Sequence, residues 1–159
     1  MQQLTPSNPP IIAIIGLGYV GLPLALAFSK HYQVIGYDLN HARVDALKKG
    51  EDTTLETDAE AIKNANHLVL TNDLAKIASA TVFIVTVPTP VNADKSPDLS
   101  SLLYASSQIA SLLKRGDIVI YESTVYPGCT EEDCVPVLEK KSGLKFNIDF
   151  YCGYSPERI

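Results

Sequence analysis

A β-branched run, Ile11 to Ile15, stops at Gly16-Leu17-Gly18-Tyr19-Val20-Gly21, and an apolar stretch with helical spacing follows at once. A strand that turns through three glycines directly into a helix constrains this chain more than any other feature. Gly16 makes the tight turn, Gly18 leaves the backbone open to a close-lying pyrophosphate, and Gly21 lets the helix pack on the strand. The helix start adds free N–H groups and a partial positive charge, both of which favour an anion. Val20, Leu24 and Phe28 recur every four residues, so a helix from about Tyr19 to His31 is expected to turn them inward, with Pro23 tolerated in its first turn.

Such a glycine pattern also arises by chance, and its context decides its meaning. Asp38 closes the next expected strand, Gln33 to Asp38, 20 residues after Gly18. A carboxylate there accepts from both hydroxyls of an adenosine ribose and repels a 2′-phosphate, so NAD is expected rather than NADP. The competing reading makes Asp38 merely the cap of the following helix. Arg43, one helical turn further on, either softens the selection against a 2′-phosphate or is an ordinary solvated helix residue.

The remaining elements alternate. A helix is expected from about Asn40 to Lys49, with Asn40 as cap, Val44 and Leu47 inward and Gly50 as stop. The polar stretch from Glu51 to Ala65 should hold a short helix. Strands are expected at Leu68 to Thr71, Thr81 to Val87, Asp117 to Tyr121 and Phe150 to Tyr154. Between them, Asp98 to Arg115 carries the stripe Leu99, Leu102, Leu103, Ile109, Ala110 and Leu113, with Lys114 and Arg115 at the negative helix end. Thr130 should cap a later helix in which Pro136 imposes a kink or a late start. This order implies an α/β fold: a Rossmann-type, doubly wound, mainly parallel sheet of about six strands with helices on both faces. One domain, 11–159, follows a flexible tail, 1–10.

Charge and cysteine content narrow the function. Thirteen basic residues face 18 acidic ones, giving a formal charge of -5 without any basic run, which argues against nucleic acid. No apolar run approaches the roughly 18 to 20 residues a membrane span needs, and no secretory leader is visible at the start. The 3 cysteines, Cys129, Cys134 and Cys152, match no zinc spacing, and His31, His41 and His67 have no ligand spacing, so no metal is expected. A cytoplasmic location is expected. Two strand ends stand out beside the glycine turn, Thr86-Val87-Pro88-Thr89-Pro90 and Glu122-Ser123-Thr124-Val125-Tyr126-Pro127-Gly128. By composition alone both read as loop punctuation.

Taken together, Ile15 to Ala25, Gly36-Tyr37-Asp38 with Arg43, Val87 to Pro90, Glu122 to Val125 with Pro127-Gly128, and Tyr154-Ser155-Pro156-Glu157-Arg158 resemble the NAD-binding part of the nucleotide-sugar 6-dehydrogenases, the UDP-glucose/GDP-mannose dehydrogenase family. Tyr154 to Ile159 and the stretch from Thr124 to Pro136 are most similar to enzymes acting on UDP-N-acetylhexosamines, which supply uronic acids for capsule or O-antigen polysaccharide. The resemblance implies oxidation of the C6 alcohol of a UDP-sugar to a carboxylate with two NAD+ in succession, a cysteine thiolate holding the intermediate aldehyde. It implies cofactor contacts at Gly16, Gly18, Tyr19, Val20, Gly21, Asp38, Arg43, Pro88, Thr89, Ser123 and Thr124. It makes Thr124 and Glu157 catalytic, holding and activating the reacting water, and Glu157 and Arg158 substrate contacts.

The resemblance covers only the first part of longer chains, and none of the three cysteines matches the nucleophile. The 159 residues are therefore expected to bind NAD without turning over a sugar, in a protein that assembles as a homodimer or larger. A stand-alone NAD-binding regulatory module, another NAD-dependent dehydrogenase of the same fold, and an enzyme for UDP-glucose or UDP-N-acetylmannosamine are the alternatives.

Overall fold

The computed structural model describes residues 9–155. The readings made for Glu157 and Arg158, and most of those made for the N-terminal tail, lie outside the described residues. Six strands, β1 Ile11–Ile15, β2 Gln33–Tyr37, β3 Leu68–Thr71, β4 Val82–Val85, β5 Ile118–Tyr121 and β6 Tyr151–Tyr154, form one sheet in the order β3-β2-β1-β4-β5-β6. Every pairing is parallel. The expected doubly wound architecture is what the chain adopts.

The β-branched runs dictate this arrangement because their side chains are apolar on both faces. Ala13, Ile15, Ile35, Tyr37, Phe83, Val85, Val119 and Tyr121 face one side, where α4 (Ser100–Ala110), α5 (Val135–Ser142) and a 3₁₀ turn (Leu74–Ser79) cover them. Ile12, Ile14, Val34, Val82 and Ile84 face the other, against α1 (Gly21–Ser29), α2 (His41–Lys48) and α3 (Ala59–Lys63). Each fully buried Leu, Ile or Phe of these two cores contributes about 1.5–3 kcal/mol through burial. No helix among the described residues is long and apolar enough to cross a membrane.

Several local expectations need correction. The buried face of α1 is Gly21, Leu22, Ala25 and Ser29, not Val20, Leu24 and Phe28. This helix is apolar nearly all round, so its small residues, which permit close approach to the sheet, set its rotation. The α4 helix ends at Ala110, well short of Arg115. Lys114 instead donates to the carbonyls of Ala78 and Ala80, at 2.9 and 3.0 Å, and Arg115 pairs with Asp149 at 3.2 Å. Thr130 does not cap a helix. It is buried in a π turn, Thr130–Cys134, and the regular helix begins only at Val135 with Pro136 in its first turn. Proline lacks the N–H that a continuous ladder would need, so the late start is the outcome.

The strand order reverses between β1 and β4, because β2 and β3 build outward on one side and β4 to β6 on the other. The crossovers diverge there and leave a crevice beyond the carboxyl ends of the two strands.

Candidate functional site

The glycine turn occupies that crevice. Gly16 takes φ +96°, a left-handed conformation that side chains resist, and its amide donates to the Tyr37 carbonyl at 2.8 Å. A Cβ on Gly21 would lie 1.9 Å from the Gly16 carbonyl oxygen and 2.5 Å from the Thr86 hydroxyl, so only glycine lets α1 start this close to β1 and β4. At Gly18 an added Cβ would meet nothing within 4 Å. Tyr19 is 70% exposed beside it, and the amides of Gly18, Tyr19 and Val20 donate to no backbone carbonyl among the described residues. Open space, unpaired donors and a helix N-terminus together fit a pyrophosphate. The residues present therefore suit a dinucleotide.

Asp38 sits just past β2, half-buried, and is not the cap of the following helix. Its Oδ1 accepts from the Asn40 amide and its Oδ2 from the Leu17 amide, each at 2.8 Å. A carboxylate has about four acceptor positions, so two remain for ribose hydroxyls. The α2 helix is capped by Asn40 itself, whose side chain accepts from the Arg43 amide at 3.2 Å. Arg43 is not a solvated residue. Its Nε donates to the Leu17 carbonyl at 2.9 Å, and its Nη2 pairs with Asp52 at 2.8 Å, with only 9% of the side chain exposed.

Two lobes open from the turn. One, a cavity of about 460 Å³, is lined by Asp38, Leu39, Leu74, Pro88, Tyr104 and Gln108 among others. Its apolar walls and few polar groups have the character of an adenine site. Burial, with Tyr104, Asp38 and Asp73 close by, pushes the Tyr37 phenol up at its floor. The sequence reading missed Leu39, Leu74, Tyr104 and Gln108, because they come from separate elements and form no motif.

The other lobe, of about 570 Å³, brings together Gly18, Tyr19, Val20, Pro88, Thr89, Glu122, Ser123 and Thr124. The two unusual strand ends are stitched across it. Thr89 donates its hydroxyl to the Thr124 carbonyl and buried Ser123 donates to the Val87 carbonyl, both at 2.6 Å. The Thr124 side chain remains exposed. Tyr154, at the end of β6, donates its hydroxyl to the Val125 carbonyl at 3.1 Å and so ties this loop to the last strand. Thus Gly16, Gly18, Tyr19, Val20, Asp38, Pro88, Thr89, Ser123 and Thr124 line the two lobes, which share Val87 and Pro88, while Gly21 is buried at the start of α1 and Arg43 lines neither lobe.

Comparison with known proteins agrees with this geometry. The model of the UDP-glucose/GDP-mannose dehydrogenase family, NAD binding domain, matches residues 11–159. The UDP-N-acetyl-D-glucosamine 6-dehydrogenase of Pseudomonas aeruginosa is 60% identical over 148 residues, covering 93% of this chain and 35% of that protein. The enzyme of the same name from Salmonella typhi is 57% identical, with the same coverage of 93% and 35%. The solved UDP-D-ManNAc dehydrogenase of Pyrococcus horikoshii superposes with a TM-score of 0.89 at 36% identity, over 94% of this chain and 36% of that one. The chain spans about a third of the length of these relatives.

Proposed function

The chain belongs to the UDP-glucose/GDP-mannose dehydrogenase family as its NAD-binding domain, and from that premise we propose that the full-length protein is a UDP-N-acetyl-D-glucosamine 6-dehydrogenase. It would oxidise the C6 alcohol of the sugar to a carboxylate with two NAD+, for a cell-surface polysaccharide. The observation that carries this reading is the 60% identity to the Pseudomonas aeruginosa enzyme of that name, sustained across 93% of the chain.

In this reading NAD+ lies along the crevice and supplies the hydride acceptor. The Gly16–Gly21 turn and the start of α1 neutralise the pyrophosphate with backbone donors. Asp38 accepts from the ribose hydroxyls, and its charge disfavours a 2′-phosphate. Leu39, Leu74 and Tyr104 enclose the adenine. Pro88 and Thr89 wall the nicotinamide end, and the Thr89 hydroxyl, which donates to the Thr124 carbonyl, fixes the position of the Thr124 loop. Thr124 then offers an exposed hydroxyl to a reacting water. Glu157 is proposed as its acid–base partner and Arg158 as a substrate contact. Cys129 and Cys134 are buried and Cys152 is half-buried in β6, so the nucleophile is proposed to come from outside these 159 residues, which alone bind NAD without turnover.

The test is NADH absorbance of the full-length protein with UDP-linked N-acetylglucosamine, N-acetylgalactosamine, N-acetylmannosamine and glucose. Two NADH per UDP-N-acetylglucosamine, with the best kcat/KM of the four, is the expected result. A preference for UDP-glucose, or one NADH per sugar, would refute the substrate or the stoichiometry respectively. NAD+ binding with no NADH from any sugar would favour a regulatory module instead.

A further inference from the structure

Among the described residues two tyrosines are buried, Tyr37 and Tyr121, and only one of their hydroxyls is paired. The Tyr121 hydroxyl shares a hydrogen bond with Ser106 at 2.7 Å. The Tyr37 hydroxyl has no partner among the described residues, although Tyr37 is only 4% exposed. Its position is set by the backbone. Alternation along β2 turns Ile35 and Tyr37 to the face covered by α4 and Val34 to the other. Tyr37 lies opposite Ile15 of β1 and Thr71 of β3, and its carbonyl accepts from the Gly16 amide at 2.8 Å. The same backbone thus carries the ring and shapes the glycine turn.

Thr81 alone, among the described residues, has a fully enclosed side-chain oxygen without a partner. The unpaired Tyr37 oxygen therefore keeps an opening, and Tyr37 lines the lobe of about 460 Å³. Burial raises the phenol's pKa, and Tyr104, Asp38 and Asp73 add to it, so the group meets any ligand as an intact O–H that can donate and accept. Leu39, Leu74 and Ile77 make the neighbouring walls apolar. A flat ring that fills the lobe strips water from the hydroxyl. Closing off a hydroxyl without a partner is costly, so a well-bound ring has to supply that partner itself.

We propose that the Tyr37 hydroxyl is the hydrogen-bonding contact that recognises the purine base of the bound dinucleotide. This inference rests on the reading that NAD+ lies in the crevice with its adenosine at Asp38. Asp38 takes the ribose hydroxyls, and its neighbour Tyr37, directed into the lobe, takes the base joined to that ribose. Adenine carries ring nitrogens that accept and an exocyclic amine that donates, so the phenol finds a partner in either sense. The apolar walls hold any flat ring of that size. The hydroxyl discriminates, because a ring without a complementary group leaves it buried and unpaired.

The experiment is calorimetric titration of NAD+, AMP and nicotinamide mononucleotide into the full-length protein and its Tyr37→Phe and Gly18→Ala variants, with a melting curve of each unliganded protein. Tyr37→Phe removes one oxygen. It should weaken NAD+ and AMP alike, by about three- to tenfold, and leave nicotinamide mononucleotide unchanged. Its Tm should be unchanged or higher, because the hydroxyl has no partner to lose. Unchanged Kd values for NAD+ and AMP, or an equal loss for nicotinamide mononucleotide, would overturn the proposal. A lower Tm or a failure to fold would give the hydroxyl a structural partner and overturn it too. Gly18→Ala tests the cofactor placement separately. Unchanged NAD+ affinity there would refute that placement, whereas a loss there beside an unmoved Tyr37→Phe would remove the base contact alone.

Discussion

The hydroxyl of Thr86, at the end of β4, donates to the carbonyl of Gly16 at 2.7 Å, with the Ile15 carbonyl as a second acceptor at 3.1 Å. This bond spans the switch point, joining the glycine turn to the strand on its far side. Thr86 is buried and Gly16 half-buried, so the bond is largely shielded from water that could replace it. Thr86→Val keeps the shape and removes the donor, which should cost about 1–3 kcal/mol for the unsatisfied acceptor. Chemical denaturation should show that loss, calorimetry should show NAD+ bound several-fold more weakly, and Thr86→Ser should recover most of both.

Gly18 and Gly21 separate cofactor binding from folding. At Gly18 a Cβ would meet no protein atom within 4 Å and the backbone φ is not left-handed, so Gly18→Ala should leave stability unchanged or raise it by up to about 1 kcal/mol. The methyl would occupy the path of the pyrophosphate, and NAD+ affinity should fall at least about tenfold. Gly21→Ala drives a Cβ to 1.9 Å from the Gly16 carbonyl oxygen, a clash between two backbones. It should destabilise the protein by at least about 1–3 kcal/mol with or without cofactor. Paired melting curves with and without NAD+ distinguish the two.

Asp52 gives stability a defined dependence on pH. Burial alone would raise its pKa, but the hydrogen bonds from Thr54, Arg43 and Thr57 outweigh that. Its folded pKa lies below the unfolded one, so its contribution is full above the unfolded value, near pH 4, and drains away as pH falls below it. The difference in stability between wild type and Asp52→Asn should be constant from about pH 5 to 7 and shrink on acidification. Asp117 shifts the other way, raised by burial, but it is common to both proteins and cancels in the difference. A difference that stays flat down to about pH 3 would contradict the assignment.

How much of this was legible in the sequence depends on whether a signal was local. Ile11 to Ile15 and the cap at Asn40 are local patterns, and both elements form where they were expected. The rotation of α1 was not legible. Leu22, Leu24, Leu26 and Phe28 are all apolar, so the spacing carried no phase, and the stripe of small residues, Gly21, Ala25 and Ser29, was the better guide. The end of α4 at Ala110 was equally hidden, because Leu112 and Leu113 continue the apolar pattern while packing from a turn. Asp52 lies in a polar stretch with no period. Its partners Thr54, Glu56 and Thr57 are close in sequence, yet the ion pair with Arg43 exists only once α2 has folded back on the turn. Thr86 was visible as part of a proline-rich strand end, but its bond to Gly16 joins residues 70 apart.

The three cysteines carry the last prediction. Burial raises the Cys129 thiol, with the Asp133 charge adding to it; burial and the neighbouring Cys129 push Cys134 up to about 12. Cys152, against Cys134 and Glu131, is likewise pushed up to about 12, again chiefly by burial. A thiol attacks as its thiolate, so none of the three has the electropositive, accessible setting of a nucleophile. A disulfide reagent at about pH 8 should therefore leave all three unmodified in the folded chain and titrate 3 thiols after denaturation. Cys152→Ala, at the half-buried position, should keep NAD+ affinity unchanged. Fast labelling of any one of them in the native state would reopen the search for the nucleophile inside these 159 residues, since the crevice lined by Thr124 lies beyond the end of the same sheet.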